Sequence, residues 1–310
     1  MQHWLVTADG ALRAPWRIAF FVAATFVAGA LVSSLGYGLV SVTPMVDWAR
    51  AARVPLDQIG AALALVVGSW LALRVDRARG PHERVADWRR IDFGRAAWNP
   101  RLAAYGTAVG ALGVLVPSAL LVAVGRFGFE TQPGAAWGAT AGASLALLLP
   151  AALVEEIALR GYLLTALRDA WGARAAVACT SVLFALMHLL NPHPTLISTL
   201  TVALAGVFLA CVRLATGSLV AAWMAHFAWN FAQSAVLHAP VSGLALGTSA
   251  YRLVDHGPAW LTGGSWGPEG GLAAAAGMLV ATFLVVRRSR PSAPGGFAPS
   301  VQLVENGTNE

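Results

Sequence analysis

Two carboxylates and a guanidinium lie inside an apolar stretch, where each charge costs roughly 2.5 to 3.5 kcal/mol to insert at the centre of a membrane helix. The stretch reads LVEEIALR and ends at Arg160. Glu156 and Arg160 are four residues apart, so on a helix they lie on one face and can form a charge-assisted pair. Glu155 points about 100° away from Glu156. We therefore expect Glu155 to be the carboxylate left free to act as a general base.

Two later apolar stretches carry imidazole and amide groups at the same spacing. Phe184 and His188 are four residues apart, as are His226 and Asn230, so each pair lies on one face of its helix. These groups, with Glu155, suffice for hydrolysis of a peptide bond. Glu155, with His188 or through a metal, would take a proton from the attacking water. His226 and Asn230 would donate hydrogen bonds to the oxyanion.

The sequence leaves a metal cofactor open. Glu155, His188 and His226 are a set of side chains that can hold one Zn²⁺ and leave a position for water. They are not in the HExxH arrangement, which fixes two ligands on one helix. No serine or cysteine lies beside a base as a competing nucleophile, and Cys179 and Cys211, inside apolar stretches, are predicted to be small buried hydrophobic residues.

The composition indicates that these groups lie in a membrane protein. Hydrophobic residues make up 57% of the 310 residues and charged residues only 12%, which leaves too few polar side chains to cover a water-soluble globule. The net charge of +6 comes from arginine alone, as the chain has no lysine. We interpret this positive charge as a mark of cytoplasmic loops and of their contact with anionic lipid, and we expect no nucleic-acid partner.

The elements that must position the site are about eight transmembrane helices, each a hydrophobic stretch long enough to cross the bilayer. The predicted fold is thus an all-α, polytopic transmembrane bundle. The second stretch is the weakest, and the fifth and sixth helices are separated by the break at Asn191 to Pro194. The stretches are Ile18 to Val46, Leu56 to Leu73, Leu102 to Gly125, Ala139 towards Arg168, two within Ala175 to Val212, Leu219 to His238, and Gly270 to Val286.

Four regions follow from this pattern. Residues 1–138 are predicted to form N-terminal transmembrane helices with an arginine-rich cytoplasmic loop from Arg74 to Arg101, and residues 139–238 the catalytic core. Residues 239–290 are predicted to hold an exposed loop with an aromatic belt, from Tyr251 to Gly271, and the last helix. Residues 291–310 are predicted to be a disordered cytoplasmic tail. The placement of arginines predicts a multi-pass protein of the cell membrane with both termini in the cytoplasm.

The three motifs, EExxxR, FxxxH and HxxxN in this order, resemble those of the CPBP family of intramembrane metalloproteases, which includes CAAX prenyl endopeptidases and bacteriocin-processing, Abi-like proteins. The resemblance covers residues 139–238. It implies that Glu155 activates water with Glu156 and Arg160 as support, that His188 is its partner, and that His226 and Asn230 form the oxyanion site. It implies either a zinc-type or a metal-free glutamate mechanism, with a peptide or lipidated protein as substrate.

The sequence thus predicts an intramembrane endopeptidase, and two alternatives stay open. One is a non-catalytic immunity or interaction scaffold, and the other is a proton-coupled transporter that uses the buried carboxylates as a relay. Catalysis requires Glu155, His188 and His226 to meet at one water-accessible cavity, whereas a scaffold allows them to face separate interfaces. The physiological substrate and the oligomeric state do not follow from the sequence.

Overall fold

The computed structural model describes residues 4–7, 12–41, 46–76, 87–132, 136–246 and 251–288, and they form an all-α bundle with one small sheet. The predicted tail at residues 291–310 lies outside the described residues. Two strands, β1 (Phe127–Thr131) and β2 (Tyr251–Asp255), pair antiparallel. The helices are α1 (Ala14–Ser41), α2 (Val46–Asp76), α3 (Pro100–Ala123), α4 (Trp137–Glu156), α5 (Leu164–His188), α6 (Leu196–Thr216), α7 (Leu219–Phe231), α8 (Ala259–Thr262) and α9 (Leu272–Arg288).

Five helical stretches in the described part of the chain are long and apolar enough to cross a membrane. One of them, Trp137–His188, has 52 residues, far more than the roughly 20 that one crossing needs, and it contains two of the predicted helices. Many large apolar side chains point outward, as Phe26 does with 78% of its surface exposed. The prediction of an all-α, polytopic transmembrane bundle is confirmed, and the weakest predicted stretch falls in the span Asp57–Asp76.

The helical path through the core is interrupted twice. A π-helical segment, Ile157–Leu163, follows α4, and within it Gly161 has a non-helical ψ of −120°. A second break inside α5 lies at Gly172, whose φ is 82°, a conformation that favours glycine. The predicted helix from Ala139 towards Arg168 is therefore not continuous. The carbonyl of Gly161 accepts hydrogen bonds from Arg213 Nη1 at 3.2 Å and Thr165 Oγ1 at 3.2 Å, besides one from the backbone N–H of Leu164.

Arg213 is buried in the bundle, near the end of α6. Its side chain has 0% exposure, and its Nε lies 3.1 Å from Asp92 Oδ2. Asp92 belongs to the arginine-rich segment, of which the described part forms two short 3₁₀ turns, Trp88–Ile91 and Arg95–Trp98. Ile91 of this segment is also fully buried. The end of the segment is thus packed into the bundle rather than lying only at the membrane surface.

A network of ion pairs joins four separate elements at one end of the bundle. Arg17 Nη2 lies 2.7 Å from Asp76 Oδ2 and 3.1 Å from Asp169 Oδ2. Arg90 contacts the same two carboxylates, at 3.3 and 3.0 Å, and Tyr162 donates to Asp76 at 2.9 Å. The predicted topology places Arg17, Asp76, Arg90 and Asp169 on one side of the membrane, and the structure brings them together. That this side is the cytoplasm stays a prediction.

The prediction of an exposed loop from Tyr251 to Gly271 is wrong for its second half. After β2 the chain forms α8 and two 3₁₀ turns, Gly264–Trp266 and Pro268–Gly270. Only 2% of the surface of Trp266 and 7% of that of Glu269 is exposed. The tryptophans of this segment resemble belt anchors, but glycines at positive φ, such as Gly263 at 96° and Gly267 at 100°, let the chain fold back onto the bundle.

Helix α3 packs closely against α7 and supports the core. A Cβ atom on Gly106 or Gly110 would overlap the carbonyl oxygen of Ala221 or Ala225, respectively. Small residues let two membrane helices approach to backbone contact. Since Ala225 directly precedes His226, α3 sets the position of one predicted catalytic side chain from outside the core region.

We expect Gly110→Ala to destabilise the protein by about 1 to 3 kcal/mol, because the added methyl group forces α3 away from α7. Thermal unfolding in detergent measures this effect. Gly142→Ala is the matched control: Gly142 lies in α4 with no atom within 4 Å of an added Cβ, so alanine there should stabilise the helix by up to about 1 kcal/mol. Equal unfolding temperatures for the two variants would contradict the close packing.

Candidate active site

The buried pair of Glu156 and Arg160 lies at the end of α4 and the start of the π-helical segment. Both side chains have 0% exposure, and Glu156 Oε1 lies 3.1 Å from Arg160 Nη1. Arg160 also donates to the carbonyl of Gly206 at 3.3 Å, and its guanidinium carbon lies 4.3 Å from the centre of the Phe184 ring. The predicted i, i+4 pairing is present. These contacts offset only part of the cost of burying two charges, because Glu156 Oε2 and Arg160 Nε have no hydrogen-bond partner among the described residues.

His226 is oriented by the same buried carboxylate. Its Nδ1 lies 2.9 Å from Glu156 Oε1, and a carboxylate already paired with Arg160 can only accept, so Nδ1 is the donor. The other ring nitrogen, Nε2, then faces Glu155 Oε2 at 3.8 Å. A carboxylate behind an imidazole fixes the orientation and tautomer of the ring. Glu156 therefore positions His226 towards Glu155.

His188 approaches Glu155 from α5. Its Nδ1 lies 2.8 Å from the carbonyl oxygen of Phe184, which can only accept, so in the neutral ring Nε2 carries the free lone pair. This Nε2 lies 4.0 Å from Glu155 Oε2. Phe184 packs against both histidines: its ring centre lies 4.5 Å from that of His188 and 5.8 Å from that of His226. It forms a rigid wall behind both imidazoles.

Glu155 is the carboxylate that these groups surround. Its Oε2 accepts no hydrogen bond from any described residue, and 29% of the side chain is exposed. Two imidazole Nε2 atoms at 3.8 and 4.0 Å are too far for direct hydrogen bonds. A water molecule to one side of such a pair can bond to both groups. The structure thus leaves Glu155 free, as the spacing predicts, and brings it to both histidines.

A small cavity of about 30 Å³ lies beside these groups. Its polar lining includes His188, His226 and Asn230, and Asn230 lies one turn after His226 on α7. Three of the predicted residues therefore share one cavity, and Glu155 lies against two of them. Apolar side chains complete most of the wall: Phe184, Val202, Ala205, Phe208, Leu209, Trp229 and Met278.

The predicted zinc ligands are too far apart to hold a zinc ion in the arrangement that the structure shows. Ligands at about 2.0 to 2.1 Å from a tetrahedral zinc lie roughly 3.3 Å from each other, whereas Glu155 Oε2 is 3.8 Å from His226 Nε2 and 4.0 Å from His188 Nε2. In the described ranges no group of three or more His, Cys, Asp or Glu side chains is arranged to hold a metal ion. We therefore assign no step of the chemistry to a metal.

Sequence reasoning missed a polar cluster around the cavity, which Glu269, Ser242 and the indole N–H of Trp229 form. Ser242 and Glu269 line it, together with Trp229, and Glu269 accepts hydrogen bonds from both of the others. Glu269 comes 39 positions after Asn230 in a stretch rich in glycine, and no helical spacing connects the two. The cysteines lie elsewhere: Cys179 is exposed and Cys211 half-buried, so the prediction that both are buried is wrong for Cys179.

Comparison with known families matches residues 136–232 to the family described as type II CAAX prenyl endopeptidase Rce1-like. Residues 136–232 are thus similar to this family, and we refer to them as the Rce1-like segment. The Rce1-like segment spans α4 to α7 and contains all six predicted site residues, which confirms the resemblance to CAAX endopeptidases and supports an endopeptidase as the class of function. Glu269 and Ser242 lie outside it. Neither the curated proteins nor the solved structures contain a match to the chain.

Proposed function

We propose that this protein is an intramembrane endopeptidase in which Glu155 activates the attacking water. The observation that carries the proposal is the position of Glu155 Oε2, which accepts no hydrogen bond from the described residues and faces the Nε2 atoms of two histidines at 3.8 and 4.0 Å. A carboxylate oxygen without a hydrogen-bond donor inside a membrane bundle is costly, and a general base is a function that requires one.

The reaction begins with a water held between Glu155 and His188. Glu155 Oε2 takes a proton from this water while the water oxygen bonds to the scissile carbonyl carbon, and the carbonyl electron pair moves to oxygen. Collapse of the tetrahedral intermediate restores the C=O bond and breaks the C–N bond. Glu155 passes its proton to the leaving amine nitrogen, and the carboxyl product retains the water oxygen.

His226 and Asn230 stabilise the oxyanion. For His226 to donate through Nε2 while Nδ1 donates to Glu156, the ring must carry both protons. The two glutamates then balance the positive charges of His226 and Arg160, so the site is neutral before the oxyanion forms. Hydrogen-bond donors held in place by buried partners need no reorganisation during the reaction, and removal of one such donor costs about 10² to 10³ in rate.

The surroundings favour a membrane-tethered substrate. The cavity wall is largely apolar, and the helices around it expose large hydrophobic side chains such as Leu186 and Leu200. A peptide that carries a lipid group, or that lies in the membrane itself, reaches such a site without leaving the bilayer. We therefore propose a lipidated or membrane-inserted peptide as the substrate class.

Cleavage by protein in proteoliposomes tests this function. Tethered peptides with and without a lipid group are incubated with the wild type and with His188→Ala, and products are identified by mass spectrometry. We expect the wild type to cleave and His188→Ala to be about 10²-fold slower, because His188 holds the attacking water and a displacement of about 1 Å of a reacting group costs about this much.

His256→Ala is the matched control, since His256 is an exposed histidine outside the cavity. Equal rates for the two histidine variants would contradict the mechanism. If the wild type cleaves no peptide of either kind, the result supports the scaffold or transporter alternative. Zinc is tested in the same assay: we expect the rate to survive treatment with a chelator, and a loss that added Zn²⁺ restores would assign the zinc-type mechanism.

A further inference from the structure

Glu269 is a buried carboxylate with no cationic partner among the described residues. Its Oε2 accepts from Trp229 Nε1 and Gln233 Nε2, both at 2.8 Å. Its Oε1 accepts from the backbone N–H of Ser242 at 2.6 Å and from the Ser242 hydroxyl at 2.7 Å. Four hydrogen bonds offset the cost of burying this charge. So complete a set of donors holds the carboxylate in one place, beside the cavity that contains His226 and Asn230.

Two of the four donors flank Asn230 on the chain. Trp229 precedes it and Gln233 follows three residues later, on either side of the point where α7 ends at Phe231 and a π-helical segment, Ala232–Leu237, begins. A change from α to π geometry alters which carbonyl each N–H reaches. By bonding to both sides of the change, Glu269 fixes the helical turn that carries Asn230. Its own N–H returns a hydrogen bond to Gln233 Oε1 at 3.2 Å.

The other two donors extend this support across the cavity. Ser242 has a positive φ of 48°, a conformation rare for a residue other than glycine, and both of its donors bind Glu269. The carbonyl oxygen of Ser242 accepts from Asn191 Nδ2 at 3.0 Å, and Asn191 lies three residues after His188. A chain of hydrogen bonds thus leads from the Asn230 turn through Glu269 and Ser242 to the end of α5.

We propose that Glu269 is a positioning residue of the active site, which holds the Asn230 turn of α7 and the end of α5 at a fixed separation. The inference rests on the proposed function and deepens it: a residue outside the Rce1-like segment sets the geometry of the oxyanion site. Glu269 has no hydrogen bond to Glu155, His188, His226 or Asn230 among the described residues; its four acceptor bonds go to Trp229, Gln233 and Ser242, so it acts through the helical turn that carries Asn230.

A double-mutant cycle of Glu269→Gln with Asn230→Ala tests the proposal. Glutamine keeps the length of the side chain but turns an NH₂ group towards two donors. We expect E269Q to lower kcat about tenfold with KM changed less than about twofold, and to add less than about twofold to the loss in N230A, because residues that act as a unit are not additive. Losses that multiply in the double variant would overturn the proposal.

Two further measurements test the positioning role if E269Q fails to fold or if the wild type shows no cleavage. If E269Q does not fold, Trp229→Phe replaces it in the cycle, since phenylalanine removes the Nε1 donor and keeps an aromatic ring. If the wild type cleaves no peptide, amide hydrogen exchange over residues 226–242 decides. Faster exchange in E269Q than in the exposed control Glu130→Gln supports the positioning role, and equal exchange overturns it.

Discussion

Glu155→Gln is expected to lower kcat by about 10³-fold while the protein stays as stable as the wild type. A glutamine amide cannot take the proton from the attacking water, and general bases contribute about 10² to 10⁴ to the rate. Stability should not fall, because Glu155 Oε2 accepts no hydrogen bond from the described residues in the native state. The cleavage rate in proteoliposomes and the unfolding temperature in detergent, measured on one preparation, separate the two effects.

Glu130→Gln provides the control for the loss of a carboxylate. Glu130 lies in β1 with its side chain 55% exposed and its only described ion pair at Arg252, 2.9 Å away. We expect this variant to cleave at the wild-type rate. A Glu155→Gln variant that retains more than about a tenth of the wild-type rate would remove Glu155 from the role of base.

The same variant distinguishes the transporter alternative. If Glu155 is a proton relay, Glu155→Gln abolishes proton-linked transport, and no peptide is cut by either protein. If the protein is a scaffold, neither cleavage nor transport changes. The endopeptidase proposal alone expects cleavage by the wild type and its loss in the variant.

Local spacing explains which parts of the site could be predicted. Glu156 and Arg160 are four residues apart on one helix, and a charge inside an apolar stretch must find a partner nearby. The freedom of Glu155 follows from the 100° turn between adjacent helical residues. The helices themselves follow from hydrophobic length, which reports the thickness of the bilayer directly.

The convergence of the three motifs depends on packing, which spacing along one helix does not report. His188 and His226 reach Glu155 because α5 and α6 contact at Gly206, where a Cβ atom would lie 2.7 Å from Ser181 Cα, and because α3 presses on α7. The bend at Gly161 likewise depends on a distant partner, because Arg213 of α6 donates a hydrogen bond to the carbonyl of Gly161.

Glu269 shows the limit of prediction most clearly. Its segment is rich in glycine and tryptophan, which for a membrane protein indicates an interfacial loop. The carboxylate is buried only because Trp229, Gln233 and Ser242 supply four donors, and none of these has a spacing to Glu269 that a helix or strand would impose. Such partners are fixed by tertiary structure alone.

The largest effect on stability is expected for Arg160→Met, which should lower the free energy of unfolding by about 3 to 5 kcal/mol. The substitution leaves Glu156 as an unbalanced charge in a fully buried site, and removal of one member of a buried ion pair costs this much. The free energy is measured by equilibrium unfolding in mixed micelles. Arg252→Met is the matched control, since its pair with Glu130 is exposed at 58% and 55%, and such pairs contribute about 0 to 1 kcal/mol.

A second substitution separates the charge from the packing of the arginine. In Glu156→Gln/Arg160→Met no buried charge is left without a partner, and the glutamine oxygen can still accept from His226 Nδ1. We expect the double variant to recover more than about half of the stability lost in the single one, because a neutral replacement of a buried pair costs little. It should nevertheless cleave far more slowly than the wild type, since the negative charge that supports a doubly protonated His226 is gone. Equal stability of Arg160→Met and Arg252→Met would show that the pair does not hold this part of the bundle, and full activity of the double variant would show that His226 does not need it.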